Sequence, residues 1–285
     1  MMSSTKGVKD GGVVKETARS LAQLTDLSGR RALVTGGAGH IGRAISEALI
    51  ELGATVAILD REAAACQREA ERFSRLRQKG SAIALPCDLS SEQATREAIR
   101  QASRTMGGLG ILIHCAAYVG STPMPGWSVP FERQTVDAWE AAMRVNLTSA
   151  FVMVQEAKES LVASGHGSVI FVASTYGIVG PDFRLYEGTT MANPAAYGAS
   201  KGGVLQLMRY FATLLAPRVR VNAISPGGVW RDQPEAFHQQ YIARTPLARM
   251  AAEEDLKGAA AYLASDLSSY VTGHNLVVDG GWTAW

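Results

Sequence analysis

The sequence predicts an α/β fold, a single doubly wound (Rossmann) domain with a seven-stranded parallel sheet flanked by helices. Three observations predict it. Short apolar runs alternate along the chain with segments of helical spacing, as a sheet buried on both faces requires. A glycine-rich turn, Thr35-Gly-Gly-Ala-Gly-His-Ile-Gly42, separates the first of these runs from the first helix. With 285 residues the chain still fits one core, and no break in composition marks a second.

Residues 1 to 26 are polar, carry Gly7, Gly11 and Gly12, and are expected to form a flexible arm with a short helix around Val14 to Leu24; residues 27–285 form the domain. Arg31–Thr35 is the first strand and Ile41–Leu52 the first helix of that domain. Thr55–Asp60 follows as a strand and Glu62–Lys79 as a charged amphipathic helix. Ser81–Pro86 is the third strand, and Ser91–Met106 a helix capped by Ser90 or Ser91. The fourth apolar run is Ile111–Ala116, followed by one long helix from Thr135 to about Ser164. Ser168–Ala173 is the fifth strand, Ala195–Leu215 a helix, and Val219–Ile224 and Asn275–Val278 the last two strands.

Composition narrows the function classes. Hydrophobic residues are 47% of the chain and charged residues 19%, a balance that builds a core and excludes a disordered or coiled-coil chain. The net charge of +2 is not concentrated in any segment, which argues against nucleic-acid and membrane-surface partners. Ile111–Val119 is too short to span a bilayer, and the N-terminus lacks the apolar stretch of a secretory signal, so a cytoplasmic protein is expected. Cys66, Cys87 and Cys115 have no metal-ligand spacing and the five histidines form no HxxxH pair, so no metal is expected.

The glycine turn has a physical purpose where it stands. Gly37, Gly39 and Gly42 satisfy GxGxxG, and Asp60 ends the next strand. Missing side chains permit a tight turn and let the backbone approach a pyrophosphate, with helix N-terminal amides aimed at the anion. Asp60 can accept hydrogen bonds from the adenosine ribose hydroxyls and repels a 2′-phosphate, which favours NAD over NADP. Arg43 and Arg61 stand near enough in sequence to pair with such a phosphate and keep the alternative open.

From Leu27 to Trp282 the sequence resembles the short-chain dehydrogenase/reductase family. The resemblance rests on an ordered set of motifs: the Thr35–Gly42 turn, Asp60, Cys87-Asp88-Leu89, Asn146 in Val-Asn-Leu, Ser174, Tyr197-Gly-Ala-Ser-Lys201, Pro226-Gly227 and Val278-Asp-Gly-Gly-Trp282. It implies Asn146, Ser174, Tyr197 and Lys201 as the catalytic tetrad. It implies a dinucleotide held by Gly36, Gly39, His40, Ile41 and Gly42, by Asp60, Asp88, Leu89 and Ala116, by Tyr197 and Lys201, and by Pro226, Gly227 and Val229. It also implies a homo-oligomer, commonly a tetramer. Three features depart from the family pattern. His40 replaces the second glycine of TGxxxGxG, His114-Cys-Ala-Ala117 replaces Asn-Asn-Ala-Gly, and Ser174 lies 23 residues before Tyr197 because of an insertion over Pro181–Pro194.

The residue types suit the chemistry. An alcohol oxidation removes a hydroxyl proton while hydride leaves the same carbon. Tyrosine, with an ordinary pKa near 10, needs help to act as the base. Lys201 stands one helical turn after Tyr197, and its ammonium, with the charge of oxidised nicotinamide, favours the phenolate. Ser174 orients the substrate oxygen, and the resemblance gives Asn146 a water in the proton relay. Substrate contacts are expected from Thr175, Tyr176, Arg184, Tyr186 and Trp230, and the pocket from the loop after the fourth strand (Tyr118 to Trp127), the insertion and the segment after Pro226. The polar insertion, expected to loop out beside the site, suits a sugar, polyol or sugar-acid-like small molecule. An NADP-dependent ketoreductase of acyl or small-ketone substrates is the rival enzyme reading, and a catalytically silent dinucleotide-binding sensor or structural subunit the rival outside enzymes.

Overall fold

The computed structural model describes residues 18–76 and 79–285. Seven parallel strands form one sheet: β1 (Arg31–Thr35), β2 (Thr55–Asp60), β3 (Ser81–Pro86), β4 (Ile111–His114), β5 (Gly167–Val172), β6 (Val219–Pro226) and β7 (Asn275–Val278). Their order in space is β3-β2-β1-β4-β5-β6-β7. The chain builds outward from β1 to β3, then returns to the other side of β1 with β4. Their onward connections leave in opposite directions at that seam and open a crevice at the carboxyl ends of β1 and β4. The register there is Thr35 beside His114, so the glycine turn and the loop after β4 form the two lips.

Both faces of the sheet are covered, and the period of two along a strand distributes its side chains between them. On β1, Leu33 enters a core made with α4 (Glu92–Met106), α6 (Ser149–Ala163) and α7 (Ala195–Leu215). Ala32 and Val34 enter the opposite core, with α2 (His40–Glu51), α3 (Ala63–Arg75) and α9 (Lys257–Ala264). Ile45 and Leu49 lie one turn apart on the buried face of α2 and are fully enclosed, while Glu47 and Glu51 pair with Lys257 of α9. Ser91 caps α4 through a 3.2 Å bond from Ala94 N, and left-handed Gly107 ends it.

Of the expected arm, residues 1–17, including Val14, lie outside the described residues. The chain then forms α1 (Leu21–Thr25), opened by a reciprocal Ser20–Gln23 capping box. Arg19 reaches Asp266 at 2.6 Å, and Asp266 also holds Arg30 at 2.9 Å.

The long helix expected from Thr135 to Ser164 is interrupted. It consists of α5 (Val136–Met143), a π-helical turn over Arg144–Thr148, and α6. The insertion differs from expectation as well. It folds inward, with Leu185 fully buried against Phe237 and Tyr241 of α8 (Glu235–Ile242) and against Met250. Asp182 pairs with Arg244 at 3.0 Å and with Arg184 at 2.8 Å, and the Tyr186 and Phe237 ring centroids are 5.6 Å apart. The insertion and α8 therefore form one roof over the crevice. No helix among the described residues is long and apolar enough to cross a membrane.

Candidate active site

At the crevice lies a cleft of about 670 Å³, within the size range of small-molecule and cofactor sites. Its floor is the glycine turn. Gly36 takes φ +62, and a Cβ there would stand 3.0 Å from the Ala116 backbone; a Cβ on Gly42 would stand 2.1 Å from the Gly36 carbonyl oxygen. Glycine at 42 lets α2 start directly against the turn. Thr35 locks the opposite lip by accepting, through its hydroxyl, from Cys115 N and Ala116 N, both at 3.0 Å. The first amides of α2 have no partner within the helix and open toward the cleft, where they suit an anion. His40 departs from glycine without filling this cradle, since its side chain is exposed and turns to Glu253, with Nδ1 3.3 Å from the carboxylate. The residues present thus fit a dinucleotide phosphate.

Asp60 closes the floor at the end of β2, and its carboxylate accepts from Arg61 N at 2.8 Å. Of the two arginines able to meet a 2′-phosphate, Arg61 lines the cleft and lies 3.5 Å from Glu62, while Arg43 lies outside it, 4.0 Å from Glu69. Gly36, Gly39, His40, Ile41, Gly42, Asp60, Asp88, Leu89, Ala116, Pro226, Gly227 and Val229 all line the cleft, so every expected cofactor residue is brought to one site.

Ser174, Tyr197 and Lys201 form one wall. Ser174 ends the segment after β5 in extended backbone and accepts from Tyr176 N at 3.2 Å, opening the 3₁₀ turn Thr175–Gly177. That turn lies directly on α7, because a Cβ on Gly177 would stand 2.8 Å from the Lys201 backbone. Tyr197 and Lys201 project from the first turns of α7, with Lys201 Nζ 5.7 Å from the Tyr197 ring centroid. Lys201 is buried and donates to the Val172 carbonyl at 2.7 Å. Burial brings its pKa down to about 8. The Tyr197 phenol is held above its ordinary value by burial, against the opposing pull of the Ser174 hydroxyl and the Arg231 charge. The group is therefore a protonated phenol beside a serine hydroxyl, able to exchange a proton with a bound alcohol or ketone.

Asn146 stands elsewhere. It sits in the π-helical turn, fully buried, and its side chain does not line the cleft. Its amide accepts from Tyr118 N at 2.7 Å and donates to Tyr118 O at 3.3 Å and to Ser200 Oγ at 3.1 Å. Ser200 Oγ donates in turn to Tyr197 O at 2.8 Å. The Asn146 side chain thus braces the loop after β4 against the turn that carries Tyr197, and the widened helical turn presents it.

The substrate side has a polar rim. Tyr176 and Tyr186 hydroxyls are 3.0 Å apart, and Asn193 Nδ2 donates to Tyr186 Oη at 2.9 Å. Thr175, Tyr176 and Tyr186 line the cleft, as expected of substrate contacts. Arg184 and Trp230 do not. Arg184 is mostly exposed and bonded to Asp182, and Trp230 packs against His238 with centroids 4.3 Å apart and the rings tilted by 42°. Asn193, Met191, Arg231, Gln233 and Trp282 also line the cleft, none of which was expected as a cofactor or substrate contact. Only Arg231 offered a signal, as a charged residue in the segment after Pro226.

Residues 36–283 match the family model described as Enoyl-(Acyl carrier protein) reductase. The chain is 34% identical to L-rhamnose 1-dehydrogenase (NAD(P)(+)) from Sphingomonas sp. (strain SKA58), covering 90% of this chain and 96% of that one. It is 33% identical to the rhamnolipids biosynthesis 3-oxoacyl-[acyl-carrier-protein] reductase of Pseudomonas aeruginosa, over 90% of this chain and 96% of that one. Among solved structures, a short-chain type dehydrogenase/reductase from Mycobacterium marinum superimposes with a TM-score of 0.81 at 31% identity, covering 94% of this chain and 100% of that one. The fold, the cleft and these matches agree: the chain belongs to the short-chain dehydrogenase/reductase family of oxidoreductases that act on CH–OH groups.

Proposed function

We propose that the chain is an NAD-preferring dehydrogenase that interconverts a secondary alcohol and a ketone on a sugar, polyol or sugar-acid-like molecule. The observation that carries this reading is the meeting of Ser174, Tyr197 and Lys201 with a rim of hydroxyl and amide groups, Tyr176, Tyr186 and Asn193, in one cleft. A rim of this kind matches a substrate with several hydroxyls. Similarity to an L-rhamnose dehydrogenase supports the class.

Nicotinamide, when bound, supplies the hydride acceptor or donor. Tyr197 exchanges the substrate hydroxyl proton. In the reductive direction it already holds that proton, because its pKa is raised. In the oxidative direction it needs added positive charge nearby to give up its own. Ser174 donates to or orients the substrate oxygen. Lys201, still charged at neutral pH and anchored on the Val172 carbonyl, retains donors for a ribose. Asn146 acts on this group by fixing the turn under Tyr197. Asp60 selects NAD, and the pairing of Arg43 and Arg61 with glutamates supports that choice. We also propose a homo-oligomer, with tetramer as the expected state.

The first test is a titration with NADH and NADPH, followed by nicotinamide fluorescence, beside Asp60→Ala. Tight NADH and weak NADPH binding, brought closer together by the substitution, is the expected result. Similarity to a 3-oxoacyl reductase favours the second reading, an NADP-dependent ketoreductase, and a preference for NADPH would establish it over the first. NADH binding with no turnover across an alcohol and carbonyl panel would mark a silent dinucleotide-binding protein.

A further inference from the structure

We propose that Arg231 is a clamp for the diphosphate of the dinucleotide, poised over the N-terminus of α2 by Glu253. The inference rests on the dinucleotide reading above and adds to it a residue that neither the glycine turn nor Asp60 requires.

Glu253 opens a 3₁₀ turn, Glu253–Leu256, that sits against α2. One of its oxygens, Oε1, lies 3.3 Å from His40 Nδ1 and 3.6 Å from Arg231 Nε. The Arg231 contact is too long for a hydrogen bond, and its buried Nε has no hydrogen-bond partner among the described residues. A buried donor left without a partner is costly, so the group gains from any acceptor that enters the cleft. The guanidinium is a planar fork that matches two phosphate oxygens.

The backbone beneath Arg231 is already fixed. Val229 bridges to Ala251, and Trp230 N donates to Ala251 O at 2.8 Å. The Gln233 amide accepts from Arg231 N at 2.7 Å and donates to Val229 O at 2.9 Å. Asp232 takes φ 54, an uncommon value for a residue with a side chain, so the turn is over-determined by its neighbours. A clamp held this way loses little freedom on binding.

Position separates a diphosphate from a substrate carboxylate. Arg231 is tethered at the glycine-turn end of the cleft, through Glu253 and His40, rather than at the Tyr176–Tyr186 rim. Its charge also reaches the Tyr197 phenol and the Cys115 thiol, lowering both pKa values against burial. A dinucleotide with one ribose at Asp60 and the other at Lys201 places its diphosphate between the turn and Tyr197, where this charge stands.

The test is calorimetric titration with ADP-ribose, which carries the diphosphate without nicotinamide, and with AMP, which keeps the adenosine and one phosphate. Arg231→Gln is expected to weaken ADP-ribose about tenfold or more, as loss of a charge-assisted fork should, and AMP by less than about threefold. Arg231→Lys, keeping the charge without the fork, is expected to fall between. Equal ADP-ribose affinity in wild type and Arg231→Gln overturns the clamp and leaves the dinucleotide reading standing; a rise confined to substrate KM would then give Arg231 to the substrate. Failure of the wild type itself to bind ADP-ribose overturns both. Should Arg231→Gln lose its cooperative melt, Arg231→Lys carries the test, and an ADP-ribose affinity equal to that of the wild type overturns the clamp.

Discussion

Tyr197 and His114 show how single side chains carry separate burdens in this cleft. Tyr197→Phe removes the only hydroxyl proposed to exchange the substrate proton while keeping the ring that packs on the wall. Turnover is expected to fall about 10²- to 10⁴-fold with NADH affinity nearly unchanged, as steady-state rates beside a fluorescence titration would show. His114, where the family has asparagine, is turned into the core rather than the cleft. The Ser149 hydroxyl donates to Val145 O at 2.6 Å, leaving its oxygen to accept from the His114 Nε2–H at 2.8 Å. Nδ1 is buried with no partner among the described residues, and burial, helped by the Lys201 charge, drives the ring pKa down to about 3. The ring therefore folds neutral, while the unfolded chain takes up a proton below about pH 6.5. Its contribution to stability is complete above that pH and is lost as pH falls toward 3. His166, lowered in the same way by burial, acts in the same direction. His114→Asn is expected to flatten the fall in stability between pH 6.5 and 4.5 by about 1.4 kcal/mol per pH unit, measured by denaturant unfolding at several pH values. An unchanged slope would mean that the ring is charged in the folded protein.

At the scale of elements, the roof of insertion and α8 has a small core of its own. Leu185, Phe237, Tyr241 and Met250 hold it together, with the Asp182–Arg244 ion pair and the Gln240 bond to Glu187 O at 3.3 Å along its edge. Leu185→Ala should lower the free energy of opening this unit by about 2–5 kcal/mol, a loss felt locally if the roof opens ahead of the sheet. Hydrogen exchange is expected to speed up together in 181–194 and in α8, with β1 and β4 unchanged. Exchange rising in the insertion alone would separate the two. The roof was also the least legible part of the sequence. Strands β1, β2, β3 and β7 could be read to the residue, because continuous apolar runs bounded by turns admit little else, and α7 was equally plain. The turn and Asp60 were readable from their places after β1 and at the end of β2, whereas Ser174, Tyr197 and Lys201 were marked by the family resemblance. Only polar composition was visible in the insertion, whose few apolar residues, Leu185 and Met191 among them, find partners far away in sequence. The π-helical turn at Asn146 has no periodic signature that survives inside a helical run. Arg184 and Trp230 have the side chains of binding residues, yet Arg184 is drawn out of the cleft by Asp182, and Trp230 packs against His238.

Across the whole molecule, apolar side chains remain exposed on several faces among the described residues, and two groups of them, on α6–α7 and at β7, are proposed as assembling surfaces. Tyr210 and Leu214 lie one turn apart on α7, 55% and 53% exposed, and Phe151 of α6 beside them is 42% exposed and stacked on Phe211 at 6.3 Å. At the β7 side, Val277 is 38% exposed and the C-terminal Trp285 81%. Two distinct self-complementary patches generate a closed tetramer with dihedral symmetry, whereas one alone stops at a dimer. Light scattering on the full chain is expected to return four times the 30.3 kDa subunit mass. The pair Phe151→Glu with Leu214→Glu places charges on the α6–α7 face away from the cleft and the sheet, with the Phe151 stack on Phe211 as its one contact with the core. It is expected to halve that mass while leaving ADP-ribose affinity within about twofold, if the proposed second interface at β7 and Trp285 holds the remaining pair. A substituted protein that keeps the full mass would show that α6 and α7 face solvent. One that falls directly to a single chain would place both contacts on this face.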